Sequence, residues 1–519
     1  MKKRLIRSRR ARYGGIAAVL TVLLIAVAVL ANALFGTLAR RYGWYGNMRA
    51  AGNYDVSERT YSLLNAAMQA ADEAGGTTTE VEIIFCDLPE NLLKSSTVSY
   101  VYRTATALAE RDPTHLRVSC RNIWLDPDSV RGYMTTTYID PETGIESEQA
   151  VSLRSTSVIV ACGSYHRVYS HNEFFVFEGG DTSKVWAYSG ERKLAAGILR
   201  AIAPSAPVAC LTNNHGEAYY DYEILYLLDD AGYRIDYVDL TQSPIPEDCN
   251  LLICFNPNKD IAVTSGVSTL SEPDLLDAFL AAPGRTFLVF LEDGTPSLPN
   301  LEAYLEGWGV STRYHKSGET SYRYMVQDSS GSLTSDGYTI YGKPNREGRA
   351  GELLAGLSQN PVFKNATALA PAPNFLPNGD GSYTRGDRTV YALYETGRGA
   401  VSWANGAAVD GSGSILMSLT EQTVAGGVSR VGVVSSVRFA TESFLQSAVY
   451  GNSDVLLRLL GTFGGTTTPE GLAIKPFQST TMSTVTTAQK LRWTLLLSIL
   501  PAAVITAVAV PVLLRRRRS

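Results

Sequence analysis

The sequence predicts an α/β fold: a two-span membrane protein with a large extracytoplasmic segment of two α/β units, mostly parallel in their sheets, plus a β-rich insertion. Three observations carry this expectation. Uncharged apolar stretches at 13–39 and 493–514 lie at opposite ends of the chain. Between them, short apolar runs alternate with segments of helical spacing. Late in the chain, a Gly-, Ser-, Tyr- and Asn-rich tract interrupts that alternation.

The end stretches come first. Helices rise about 1.5 Å per residue, so about 20 apolar residues cross about 30 Å of hydrocarbon, and both stretches suffice. Lys2, Lys3, Arg4, Arg7, Arg9, Arg10 and Arg12 precede the first, and Arg515, Arg516, Arg517 and Arg518 follow the second. Lys and Arg beside a span favour the cytoplasmic side. The tails 1–12 and 515–519 therefore read as cytoplasmic, and the middle as the extracytoplasmic part of a two-pass protein of the bacterial cell membrane. A cleaved signal peptide is the rival for 13–39, because Ala31-Asn32-Ala33 resembles a peptidase site. The run exceeds the usual apolar core of about 7–15 residues, which favours an uncleaved anchor. Pro501 and Pro511 are tolerated in a span whose freed carbonyls find other partners.

The first α/β unit is expected over 40–189. Residues 62–72 have helical spacing and stop near Gly75-Gly76, and 81–85 is a β run. Residues 97–111 form a helix that Asp112-Pro113 ends, and 116–120 is the next strand. The runs 133–138 and 147–154 flank the turn signature Asp140-Pro141-Glu142-Thr143-Gly144, a hairpin. Residues 157–162 read as a buried strand.

The second unit is expected over 190–465. A helix at 192–202 leads to a strand at 207–211 and a helix at 217–230 ended by Gly232. Strands follow at 233–240, 251–255 and 286–291, with a crossover helix at 270–281. Short connections between alternating strands and helices imply a mostly parallel sheet covered on both faces. Residues 312–399 read as the β-rich insertion. Strands at 414–418 and 430–435 and helices at 442–449 and 453–463 return to the core. A Thr/Ser-rich connector, 466–492, leads into the second span.

Charge narrows the partners. The chain has 46 basic and 50 acidic residues, and setting aside the eleven basic residues of the tails leaves 35 against 50, a balance of −15. That excludes nucleic acid as an electrostatic partner of the middle. Six cysteines are spread through the chain, and Cys86, Cys162, Cys210 and Cys254 sit in or at the end of apolar runs, where Cys behaves as a small hydrophobe. Cys249 and Cys254 form C-x4-C without the second pair that a zinc set requires, so no metal or cofactor is expected. No P-loop, nucleophile elbow, H-E-x-x-H or dinucleotide glycine set occurs. A non-enzyme is expected.

One cluster stands out. The strand 207–211 runs into Thr212-Asn213-Asn214-His215-Gly216-Glu217. Ligands of open α/β sheets bind at the carboxyl ends of strands, which makes Asn213, Asn214, His215 and Glu217 the candidate binding residues. A capping box explains the same letters without a ligand: Asn214 as N-cap, with Glu217 three residues later. A platform of the insertion's tyrosines would suit a glycan.

Several segments together resemble the GldG-type auxiliary components of ABC transport systems. They are DVSERTYSLLNAAMQA, NIWLDPDS, ERKLAAGILRAI, LTNNHGEAYYDYE, VDLTQSPIPEDCNLLICFNPNKDI, LLDAFLAAPGRTFLVFLEDG, VGVVSSVRFATESFL and GNSDVLLRLLGTF. The resemblance covers most of 55–519 in one order. Asn214 stands where the family's loop has the first Gly of Gly-His-Gly-Glu. Ser435-Ser436-Val437-Arg438 stands where the family has Gly-Asp-Ser-Asp, without its carboxylates. The resemblance implies a non-catalytic, membrane-anchored auxiliary subunit that partners an ABC ATPase and an ABC-2-type permease, its outer domain binding cargo, envelope or other subunits. The competing expectations are a tethered hydrolase or amidotransferase-like enzyme using Cys254, and a free-standing glycan or ligand receptor.

Overall fold

The computed structural model describes residues 53–139, 146–263, 271–329, 331–477 and Arg492. The longest helix among them, α1 (Glu58–Gly75), is amphipathic and carries Glu58, Arg59, Asp72 and Glu73. Among the described residues no helix is long and apolar enough to cross a membrane. The expected two-pass architecture and its cell-membrane localisation are corrected on that finding. The stretches 13–39 and 493–514, on which they rested, lie outside the described residues.

Local chemistry sets the first elements. Ser57 caps α1, its hydroxyl accepting from the Thr60 N–H at 3.3 Å, and Gly76 ends it at φ 66°, its N–H bonded to the Asp72 carbonyl. Strand β1 (Val81–Phe85) is almost wholly buried, and α2 (Val98–Arg111) returns the chain to β2 (Leu116–Cys120), parallel to β1. Strands β3 (Val158–Cys162) and β4 (Tyr165–Tyr169) then pair antiparallel, giving the order β2-β1-β3-β4. The predicted hairpin forms from Thr135–Ile139 and Glu146–Ala150.

Helix α3 (Gly190–Ile202) is buried on nearly every side, including its charged first turn. Burying a charge requires a partner, and each has one. Glu191 accepts from the Ser57 N–H at 2.7 Å and pairs with Lys475 at 2.5 Å; Lys193 pairs with Asp230 at 2.5 Å; Arg192 donates to Ser453 Oγ at 3.1 Å.

The large sheet carries the rest. Its parallel part comprises β5 (Val208–Thr212), β6 (Arg234–Val238), β7 (Cys249–Phe255) and β8 (Thr286–Phe290), with α4 (Glu223–Asp230) between β5 and β6 and α5 (Glu272–Leu280) between β7 and β8. The order β6-β5-β7-β8 places the first strand inside the second. Beyond β8 lie β11 (Gly427–Val434), parallel to it, then β10 (Ile415–Val424) and β9 (Arg388–Glu395), each antiparallel to the strand before it.

The mostly parallel sheet and the separate insertion are corrected accordingly. Both main sheets are mixed, and β9, taken from the expected insertion, is a strand of the large sheet. The cause is the two-residue turn Ala425-Gly426, with Gly426 at φ 89°, which folds β10 back on β11 and exposes an edge for β9. Helix α6 (Pro299–Gly307) and α7 (Asn452–Gly464) add Leu301, Leu305, Leu456 and Leu460 to the two cores of this half.

Candidate functional site

Order β6-β5-β7 makes the chain leave β5 in one direction and come back to the other side, so the crevice at the carboxyl ends of β5 and β7 is a topological switch point. The segment 213–222 enters it from β5, Cys254 from the end of β7, and Glu272 from the first turn of α5. The helix expected to begin at Glu217 begins at Glu223. No capping box forms, because Gly216 at φ 65° turns the chain away from helix between the two supposed members.

His215 fills the crevice and is only 2% exposed. Its Nδ1 lies 3.2 Å from Glu217 Oε1 and its Nε2 3.0 Å from Glu272 Oε2. Burial pulls the imidazole pKa down, but hydrogen bonds with Cys254, Glu217 and Glu272 outweigh it and push it up to about 12. With a carboxylate oxygen facing each nitrogen, the ring is set to donate from both, the form an imidazolium takes. Burial likewise raises the two carboxyls, and the bonds to His215 overcome it and hold both below the usual range.

Each partner is itself held. Glu217 accepts from the His215 N–H at 3.0 Å and from the Thr212 hydroxyl. Glu272 accepts from Asn214 Nδ2 at 2.8 Å and from the Ala262 N–H at 2.7 Å. The His215 carbonyl accepts the N–H groups of Asn258 and Lys259, both at 2.8 Å, tying the segment after β5 to the segment after β7. Cys254 is 1% exposed, and burial pushes its thiol pKa up. His215, Glu217 and Cys254 present one ligand atom each within 4.8 Å of one another.

Of the four residues read as candidates, His215, Glu217 and Asn214 meet in this network, while Asn213 stays exposed with its N–H on the Val238 carbonyl. Sequence reading missed Glu272, whose only local signal is a place in the first turn of a helix. It weighed Cys254 as a core hydrophobe, as half of a C-x4-C pair and as a nucleophile, but not as a partner of the 213–217 loop; the carboxyl-end rule that singled out that loop also applies to the end of β7.

Above the network the chain turns outward. Tyr219 stacks on Phe255 at 4.6 Å, and Tyr220, Tyr222 and Tyr226 are exposed. Arg438, from the stretch Ser435-Ser436-Val437-Arg438, lies 3.9 Å over the Tyr220 ring, and the Tyr220 hydroxyl donates to Glu292 at 2.8 Å. Beside them opens a cavity of about 430 Å³ lined by Arg192, Lys193, Tyr222, Glu223, Asp230 and Glu442, among others.

No family model matches the chain, and no curated protein matches it. Among solved structures, the chain is similar to the mmIFT52 N-terminal domain, at 14% identity over 49% of this chain and 97% of that one, with a TM-score of 0.35. A likeness that distant carries no argument. The membrane-spanning part of the expectation is corrected: among the described residues no helix is long and apolar enough to cross a membrane. No family match supports the GldG-type resemblance.

Proposed function

We propose that this protein is a non-catalytic accessory subunit that acts by binding a partner protein. One observation carries the reading: the switch-point crevice, where an α/β enzyme of this strand order would hold its substrate, is filled by the chain's own His215–Glu217–Glu272 network. An imidazolium with both N–H groups engaged has no lone pair with which to take a proton. A buried, protonated thiol is a poor nucleophile, which weighs against the Cys254 hydrolase. The network instead fixes the loop that displays Tyr220 and Tyr222, beside Tyr226 of α4, and exposed tyrosines suit a protein interface.

The resemblance described above supplies the first baits, an ABC ATPase and an ABC-2-type permease. The full chain, used to capture co-expressed baits, should retain one of them. Tyr222→Ala/Tyr226→Ala should lose capture while melting at the same temperature, because both side chains are exposed. Undiminished capture by that variant would remove the tyrosine surface. Turnover of ATP or of ester and amide substrates by the purified chain, at a rate abolished by His215→Gln, would overturn the non-catalytic reading.

A further inference from the structure

We propose that His215, Glu217 and Cys254 form a site for a divalent transition metal, zinc by their chemistry. This inference is independent of the partner-binding reading. A nitrogen, a carboxylate oxygen and a sulfur, all buried and within 4.8 Å of one another, make a donor set that zinc accepts and that calcium or magnesium does not.

The surrounding groups match what a zinc site requires. A metal-ligating histidine typically donates its other N–H to a carboxylate, which fixes the ring. Glu272 Oε2 stands 3.0 Å from His215 Nε2 in that role, itself fixed by Asn214 and the Ala262 N–H. Thr212 holds the Glu217 carboxylate in the same way. A second observation points to a missing occupant: the Tyr219 hydroxyl, on the segment that enters the same crevice, is buried without a partner.

Zinc binding would form bonds to the histidine nitrogen, the thiolate sulfur and the carboxylate oxygen, and the protons carried by the ring nitrogen and the thiol would leave to solvent.

The test uses the untagged full chain, stripped with a chelator and then exposed to zinc and desalted. About one zinc per chain is expected by elemental analysis. Cobalt in place of zinc should give a sulfur-to-cobalt charge-transfer band. Cys254→Ser should lose that band and at least ten-fold in zinc affinity, while Cys86→Ser, a buried thiol elsewhere, keeps both. Circular dichroism on each variant separates loss of metal from loss of fold; should Cys254→Ser misfold, the cobalt band of the wild type decides alone. Wild type without stoichiometric zinc, a cobalt spectrum without the sulfur band, or full affinity in folded Cys254→Ser would each overturn the site and leave a purely ionic network.

Discussion

His215 donates through Nε2 to Glu272 Oε2 at 3.0 Å, joining the loop after β5 to the first turn of α5 across 57 residues of sequence. Both side chains are all but excluded from water, at 2% and 1% exposure. Removing one member of such a pair strands the other, at about 3–5 kcal/mol. Glu272→Ala in chelator-treated protein should lose about that much in urea unfolding. Glu272→Gln, which retains an acceptor for the Nε2–H, should lose less. Equal losses in the two variants would show that the carboxylate's charge alone, and neither the retained hydrogen bond nor packing, sets the cost.

Asn214 offers a sharper contrast with its neighbour. Its amide donates to Glu272, while Asn213 projects into solvent. A hydrogen bond to a charged group contributes about 1.5–3 kcal/mol, so Asn214→Ala should destabilise by that order. Asn213→Ala should stay within about 0.5 kcal/mol, as exposed positions do. Matching unfolding midpoints for the two variants would contradict this placement.

The sequence carried the local elements well and the long-range ones poorly. Helix α2, with its stop at Asp112, and strands β1, β2 and β7 follow from periodicity and turn chemistry. Asn214 and Glu217 fit a capping box letter by letter, yet the backbone at Gly216 is left-handed and both side chains bond elsewhere. That choice was made by Glu272 and His215, whose meeting depends on strand order, which no window of sequence contains. The same limit hid β9: Arg388–Glu395 shows a strand's composition but not that its partner is Ile415–Val424.

Helix α3 has little room for growth at Gly197. A Cβ there would stand 2.7 Å from the hydroxyl of Tyr169, which is itself 2% exposed and has no free direction in which to swing. Alanine is the better helix former by about 1 kcal/mol, but overpacking costs about 1–3 kcal/mol. Gly197→Ala should therefore be neutral to destabilising, and Tyr169→Phe, which removes the hydroxyl, should shrink its cost. A double-mutant cycle reads that coupling directly; additive effects would refute the contact.

Glu223 gives the protein a pH response near neutrality. Burial in the cavity wall raises its carboxyl, Asp230 adds to the effect, and Gln446, Arg192 and Lys193 oppose it, leaving the pKa pushed up from 4.5 to about 7. A carboxyl with a raised folded pKa binds its proton more tightly folded than unfolded. Its contribution is thus intact below the unfolded value and is lost as pH climbs to the folded one. Between pH about 4.5 and about 7, stability should fall by up to roughly 3 kcal/mol from this group. Paired carboxylates such as Glu191, held low despite burial by Lys475, Ser57 and Thr60, act in the opposite sense at lower pH, so the clean observable is a difference. Subtracting the pH profile of Glu223→Gln from that of the wild type in urea unfolding should leave a curve that declines across this window and is flat above it. A flat difference throughout would mean that the cavity wall admits water and leaves this carboxyl an ordinary one.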